Sequence, residues 1–569
     1  MNKLNPIYTE ETECRDCYKC VRHCPVKAIK IKDGSAQVDS DLCILCGNCI
    51  AVCPVGAKKI RDDLSRAKKL LKKKKEVVVS LAPSFTSEFR NLEPSNLVKS
   101  LKRLGFGKVS ETALGAEIVT TQTAESLNKF DELINISSAC PVIVELIEKY
   151  YPHLVKDISK FLSPVQAHAK LLRKITNQDI GIVFISPCIA KKREAERYPG
   201  LIDVAITFED LHHWFMEESI NPYTEETADD EFFPFRANAG ALYPVDGGMC
   251  KTIERKYTSK DIHFMSVSGK KQIVNTISGL EQNDIKKKIF IEMLACNGGC
   301  INGPKAETKN NNAIKRLDIF DYLDLKEFSK ITHSLDISRE FEKAISAKQK
   351  YTEKEINKAL KQIGKVNKDD ELNCGGCGYN TCREFAEAYL NGYAEQSMCV
   401  SYMRKLAMNK ANALLKAMPS GVVIVDEKLK IVECNKRFIN IIGGDAKIVA
   451  EANPNLSGAF LNKLVPFHKD FSRLLNQSKE IIEKDIHHKQ KILRLLVFPI
   501  EKGRIAGGII QDITKPSVRR EQIIDKAQQV IKKNLNTVQK IAFLLGENAA
   551  ESEVILNSII ESFSLEKEA

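Results

Sequence analysis

The strongest constraint on this chain is a cysteine repeat at its N-terminus. "CRDCYKCVRHCP" (Cys14–Pro25) returns as "CILCGNCIAVCP" (Cys43–Pro54), and each copy reads Cys-x2-Cys-x2-Cys-x3-Cys-Pro. Short Cys-x2-Cys turns bring successive sulfurs and backbone N–H groups to one point, the arrangement that a four-iron cubane requires of its thiolates. There are 18 cysteines in 569 residues, and the opening "MNKLNPIYTEETEC" has no apolar signal core, so a cytoplasmic chain with reduced thiols is expected. In that setting the spacing argues for metal rather than disulfides. No uninterrupted apolar run reaches the ~18 residues that span a bilayer, so no membrane contact is expected. The net charge of +12 is partly concentrated in "KKIRDDLSRAKKLLKKKKE" (Lys58–Glu76). No aromatic-interleaved basic surface accompanies it, so it reads as a solvated linker helix and no nucleic-acid partner is expected.

The length demands several cores, at ~100–200 residues each. After the lysine-rich stretch, "VVVSLAPSF" (Val77–Phe85), "IGIVFISPC" (Ile180–Cys188) and "IFIEMLACNGGC" (Ile289–Cys300) read as buried strands alternating with helices, the last two ending in cysteine. Ligands in α/β folds usually sit at the carboxyl ends of strands. A charged helical stretch from about Arg339 precedes a compact cysteine segment, Cys374–Cys399, and a helix to Lys416. Alternation in "GVVIVDEKLKIVECNKRFINIIG" and "KILRLLVFPIEKGRIAGGIIQDIT" gives a small sensor-sized α/β module. In the tail, Ile523, Ala527, Val530, Ile531, Val538, Ile541 and Leu545 recur at helical spacing, as in an amphipathic helix seeking a partner or packed on its own domain.

The repeat resembles the bacterial two-cluster ferredoxin, in which the fourth cysteine of each run binds the other cluster. The resemblance implies one [4Fe-4S] cluster on Cys14, Cys17, Cys20 and Cys53, and a second on Cys43, Cys46, Cys49 and Cys24. Cys374, Cys377, Cys382 and Cys399 resemble a small four-iron domain, with structural zinc an alternative. "SSACPVIVELIEKYYP", "SPCIAKKREAE" and "EMLACNGGCINGP" resemble the three signature segments of [FeFe]-hydrogenases. That resemblance implies an H-cluster: a cubane on Cys140, Cys188, Cys296 and Cys300, with Cys300 bridging to a di-iron subcluster carrying CO, CN⁻ and a dithiolate, and Lys191 hydrogen-bonding a cyanide. The implied reaction is H2 ⇌ 2 H⁺ + 2 e⁻, exchanged with an electron-transfer partner such as ferredoxin.

The departures carry as much information. The family's most active members have Cys-Cys-Pro where this chain has Ala139-Cys140-Pro141, so the thiol that the resemblance implies passes protons is missing. In "GAEIVTTQTAESL", Thr123 and Ser126 stand where relay carboxylates are expected, with Glu125 displaced by one; Ser159 matches a relay serine. Ser186, Leu294 and Asn297 replace methionine, methionine and proline, and "GPKAE" replaces the usual ending of the third segment. Losing a positioned acid/base costs ~10²–10⁴-fold, so slow turnover is expected. Met418–Phe438 resembles the opening of a PAS domain. The order of modules resembles the sensory [FeFe]-hydrogenases, which implies reporting of H2 or redox state to a separate kinase or phosphatase.

The expected architecture is a multidomain α/β protein: 1–60 ferredoxin-like 2[4Fe-4S] domain, 61–76 basic linker helix, 77–340 α/β iron-hydrogenase domain, 341–372 helical linker, 373–416 small Fe–S domain and helix, 417–515 α+β PAS domain, and 516–569 signalling helix in a homodimer. His468, His487 and His488 read as surface histidines rather than haem ligands, and Cys250 and Cys434 as ordinary thiols, although Cys250 lies in a segment near the expected H-cluster. Two other functions compete, a ferredoxin-dependent metabolic hydrogenase and a non-catalytic hydrogenase-like Fe–S scaffold.

Overall fold

A computed structural model describes residues 5–176, 179–224, 230–282, 285–307, 311–323, 335–344, 349, 351–477, 481–514 and 529–534. The chain divides into two compact units between Met398 and Cys399.

In the first unit, strand Ile7–Thr9 pairs antiparallel with Lys58–Ile60, and Ile29–Lys32 with Ser35–Val38. Two one-turn helices, Lys19–His23 and Asn48–Val52, carry the third cysteine of each repeat, Cys20 and Cys49. Each begins after a left-handed residue, Tyr18 at φ 56° and Gly47 at φ 77°, which turns the chain sharply enough to bring the sulfurs together.

The α/β region that follows is built on two parallel sheets. The first orders Lys108–Glu111, Val77–Leu81, Gly181–Ser186 and Val204–Thr207. The second orders Ile262–Ser268, Lys288–Leu294 and Ile134–Ile136. Every residue of Val77–Leu81 and Gly181–Ser186 is buried, as parallel strands covered by helices on both faces must be. All these strands run the same way within their sheet, so the loops bearing Ala139, Cys188 and Cys296 leave from carboxyl ends.

Lys58–Glu76 departs from its reading as a solvated linker. Helix Leu64–Lys73 buries Ala67 and packs Leu64, Leu70 and Leu71 on the core of the four-stranded sheet. Its N-cap Asp63 is buried and held by Arg61 at 3.0 Å and Lys192 at 3.4 Å. Likewise, helix Glu353–Gln362, expected in a linker, buries Ile356, Ala359 and Leu360 and packs against helix Cys382–Leu390 of the cysteine segment.

In the second unit, helix Val400–Ala417 buries none of its residues and leads to a five-stranded antiparallel sheet. Its order is Ile431–Cys434, Gly421–Asp426, Ile505–Asp512, Lys491–Glu501 and Ile482–His488. The core gathers Val423, Phe438, Phe471, Leu495 and Ile510. Alternation along Ile482–His488 turns His487 outward and buries His488 against Phe467, so His488 is not the surface histidine expected of it. Most of the expected tail helix lies outside the described residues. Among the described residues no helix is long and apolar enough to cross a membrane.

Candidate active site and cluster sites

Strands from both sheets end around one cavity of about 110 Å³. Its wall includes Ala139, Cys140, Cys188, Lys191, Cys296 and Cys300, residues far apart in sequence. Cys140 is the N-cap of helix Pro141–Tyr150, with proline at the first helical position where no amide donor is needed. Cys188 follows Gly181–Ser186 and precedes helix Ala190–Arg197; Cys296 follows Lys288–Leu294. Between Cys296 and Cys300, Gly299 has φ 106°, and a Cβ there would meet the Pro244 carbonyl at 2.2 Å, which explains "NGGC".

Burial pushes the Cys188 thiol up to about 11 and Cys296 up to about 12. Cys300 is driven well above its ordinary value by burial and by the charges of Cys140, Cys296 and Cys188, while Lys191 pulls the other way. Four thiols at one cavity, Cys140 buried and the other three partly buried, with an ammonium beside them, fit a cationic iron group carrying anionic ligands, because metal binding supplies the ionisation that burial opposes. Lys191 Nζ lies 2.5 Å from Glu194 and 3.4 Å from Ser163 Oγ, whose hydroxyl also bonds Glu194. Ser84 lines the same cavity, is 2% exposed, and its Oγ has no hydrogen-bond partner. It was missed in the sequence because a lone serine after a strand carries no signal until its burial is known. An orphaned donor and a lysine in a largely apolar pocket suit a small anionic ligand.

Ala139 contributes a methyl group to the wall, and its N–H donates to Ser137 Oγ at 3.3 Å. The Ser137 hydroxyl in turn meets Met249 Sδ at 3.1 Å. Thr123 is buried with no partner for its hydroxyl, whereas Glu125 and Ser126 are exposed, so no carboxylate of helix Ala113–Leu127 stands where a relay is expected. Ser159 is buried and donates to Asn135 Oδ1 at 2.9 Å, away from the cavity wall.

A buried carboxyl does occur nearby. Glu292, on Lys288–Leu294, is 1% exposed; its Oε2 accepts from the Cys250 N–H at 3.1 Å, and Oε1 has no partner. Burial raises it to about 7 despite the bonds from Cys250 and Met249. Cys250 bonds Met265 O at 3.3 Å, and burial and the Glu292 charge push its thiol up. Tyr243, in the cavity wall, is within electrostatic reach of both. The signal was present, a single acid inside the apolar run "IFIEMLAC".

Cys24, Cys43, Cys46 and Cys49 line a second small pocket. Cys46 also lines the first, and its charge acts on Cys296. Cys14 and Cys17 act on Cys20, which burial lifts to about 11. At Cys53 burial is outweighed by N–H donors of Lys58, Val55 and Ala57, which lower its thiol and suit a thiolate ligand. Cys382 opens its helix with its N–H on Asn373 Oδ1 at 2.8 Å, and Gly375 and Gly378 take left-handed turns around Cys377. Cys399 is the N-cap of helix Val400–Ala417 in the second unit. Among the described residues no group of His, Cys, Asp or Glu is gathered around a single metal ion.

Residues 75–304 match the family described as iron only hydrogenase large subunit, C-terminal domain. This domain belongs to the iron-only hydrogenase family. Residues 13–57 match a 4Fe-4S dicluster domain, 370–401 an Fe-S cluster domain and 409–477 a PAS domain. The chain is therefore a hydrogenase-like iron–sulfur protein with a PAS domain. It is 26% identical to iron hydrogenase 1 of Clostridium pasteurianum over 43% of this chain and 52% of that protein, so the chain spans about half of that relative. It is 26% identical to the periplasmic [Fe] hydrogenase large subunit of Nitratidesulfovibrio vulgaris over 53% of this chain and 86% of that one. A cytosolic Fe-S cluster assembly factor of Yarrowia lipolytica is 31% identical over 17% of this chain and 21% of its own. A solved [FeFe]-hydrogenase of Chlamydomonas reinhardtii aligns with 47% of this chain and 91% of its own at TM-score 0.39 and 19% identity.

Proposed function

We propose that the hydrogenase domain oxidises H2 reversibly and slowly at an H-cluster held by Cys140, Cys188, Cys296 and Cys300, and that the chain serves as an H2 or redox sensor. The observation that carries this reading is the single cavity in which those cysteines, Lys191 and Ala139 meet. When bound, the H-cluster supplies the site that splits H2 and accepts its electrons. The protein's part is to hold it, position its anionic ligands and move protons.

Lys191 and Ser84 are the donors available to those ligands, and Glu194 pairs with the Lys191 ammonium and aims it. At position 139 the methyl group offers no proton acceptor. Glu292 is the buried carboxyl proposed to take that duty: its Oε1 has no partner, and burial raises it to about 7, so it gains and loses a proton near neutral pH. A longer path than one side chain beside the reacting atom agrees with slow turnover. Cys46, shared by the cavity and the neighbouring thiol pocket, brings the two cluster sites into contact and supports electron exchange with the 2[4Fe-4S] domain and an external carrier such as ferredoxin. The PAS domain supports a signalling output to a kinase or phosphatase.

Infrared spectroscopy on protein matured with the di-iron subcluster tests this reading. CO and CN⁻ stretching bands with slow H2 oxidation are expected. Bands with fast turnover would favour a metabolic hydrogenase. Their absence after competent maturation would favour the scaffold reading, which the resemblance to an Fe-S assembly factor supports.

A further inference from the structure

We infer that Tyr379 donates its hydroxyl to a sulfide of the clusters on either side of it, and that the Cys374–Cys377–Cys382 segment is thereby a direct branch off the Cys24–Cys43–Cys46–Cys49 site. The inference rests on the reading that both cysteine sets hold iron–sulfur clusters.

Tyr379 is 4% exposed, and its hydroxyl has no hydrogen-bond partner. A buried phenol deprived of water and left without an acceptor costs as much as a lost hydrogen bond, so a native chain keeps one only where something absent from the polypeptide satisfies it. Both Cys377 and Cys24 are within electrostatic reach of the phenol, one from its own segment and one from the ferredoxin-like domain. The ring packs on Phe385 at 5.8 Å, and the Lys27 ammonium lies 5.9 Å from its centroid.

The approach of the two segments is built in. Gly378 has φ 97°, and a Cβ there would stand 3.1 Å from the Arg22 backbone nitrogen, two residues before Cys24. Only glycine allows that conformation at that distance. Around the contact, Tyr393 donates to Asp39 Oδ2 at 2.6 Å, the Ile31 N–H reaches Tyr393 O at 3.3 Å, and the Tyr18 and Ser397 hydroxyls meet at 3.3 Å. These bonds lock the cysteine segment onto the domain face that carries Cys24. Hydrogen bonds to cluster sulfurs are among the determinants of cluster potential. A donor between two clusters stabilises the more negative, reduced form of its acceptor, which raises that cluster's potential.

The test is an EPR-monitored redox titration of the full-length holoprotein and of Tyr379→Phe, which removes one oxygen and keeps the ring. Cys377→Ser identifies the signal of its own cluster. The expected result is a lower midpoint for the Cys377 cluster, the Cys24 cluster or both, with the Cys14–Cys17–Cys20 cluster unmoved. Unchanged midpoints, or a shift confined to that third cluster, would overturn the inference. A second measurement needs no Tyr379 variant. In fully reduced wild type, spin–spin broadening between the two clusters is expected and should vanish in Cys377→Ser; its absence in wild type would sink the branch. Iron and sulfide analysis of wild type separates the two levels, since a shortage of clusters refutes the underlying reading and a full complement leaves the branch alone on trial.

Discussion

In the proposed reaction Ala139 offers the cavity wall no acid, and the carboxyl that remains is Glu292, buried with its Oε1 unpartnered. If the missing thiol limits turnover, Ala139→Cys should raise dye-linked H2 oxidation by about 10²-fold or more; an unchanged rate would move the limit to the longer path. Glu292→Gln should lower the rate by ~10²-fold and remove the pH dependence around 7, since Glu292 titrates there. The same carboxyl predicts a stability effect. Its folded value lies above the ordinary 4.5, so the protonated form favours the folded state, fully below pH ~4.5 and less as pH rises through 7. Thermal melts above pH 7 should therefore find Glu292→Gln more stable than wild type, and below pH 4.5 no more stable. That Cys140, Cys188, Cys296 and Cys300 meet at one cavity was legible in sequence because strand ends announce such a site. Glu292 and Ser84 were not, because an ordinary acid or serine becomes notable only when packing strips it of water and partners.

In Lys58–Glu76 the lysines suggested a solvated helix, yet Leu64, Ala67, Leu70 and Leu71 repeat every three or four residues and form the face that the core takes up. Long charged side chains tolerate that arrangement because their heads stay in water. The Cys46–Gly47 turn shows the opposite limit, since nothing in the repeat tells what it touches. A Cβ on Gly47 would meet Pro304 at 2.6 Å and Ile189 at 3.2 Å, residues that follow the expected ligands Cys300 and Cys188, and φ is 77° besides. Gly47 thus sets how closely the ferredoxin-like site approaches the cavity. Gly47→Ala should cost about 1–3 kcal/mol in thermal unfolding and slow reduction of the ferredoxin-type clusters by H2 in freeze-quench EPR, while iron content holds.

Taken whole, the first unit contains every cavity and thiol pocket described, and the second contains a closed PAS core with a helix that buries nothing. A helix with no buried face derives little stability from packing, and its amide exchange responds to small changes in what holds its ends. One end is held inside the second unit: Asn435 donates to Leu415 O at 3.0 Å and Ser420 O at 2.9 Å while capping Lys436–Ile442. The other begins at Cys399, an expected cluster ligand. If H2 is the signal, hydrogen exchange of full-length holoprotein should differ between H2 and argon within 400–417, while the buried strand Val77–Leu81 stays protected under both. A Cys300→Ala chain keeps the ferredoxin-type cysteines and loses an expected H-cluster ligand, so it should respond to a chemical reductant and not to H2. Equal exchange under H2 and argon in the matured wild type would remove the sensory reading. A response of Cys300→Ala to H2 would move the sensing site away from this cavity.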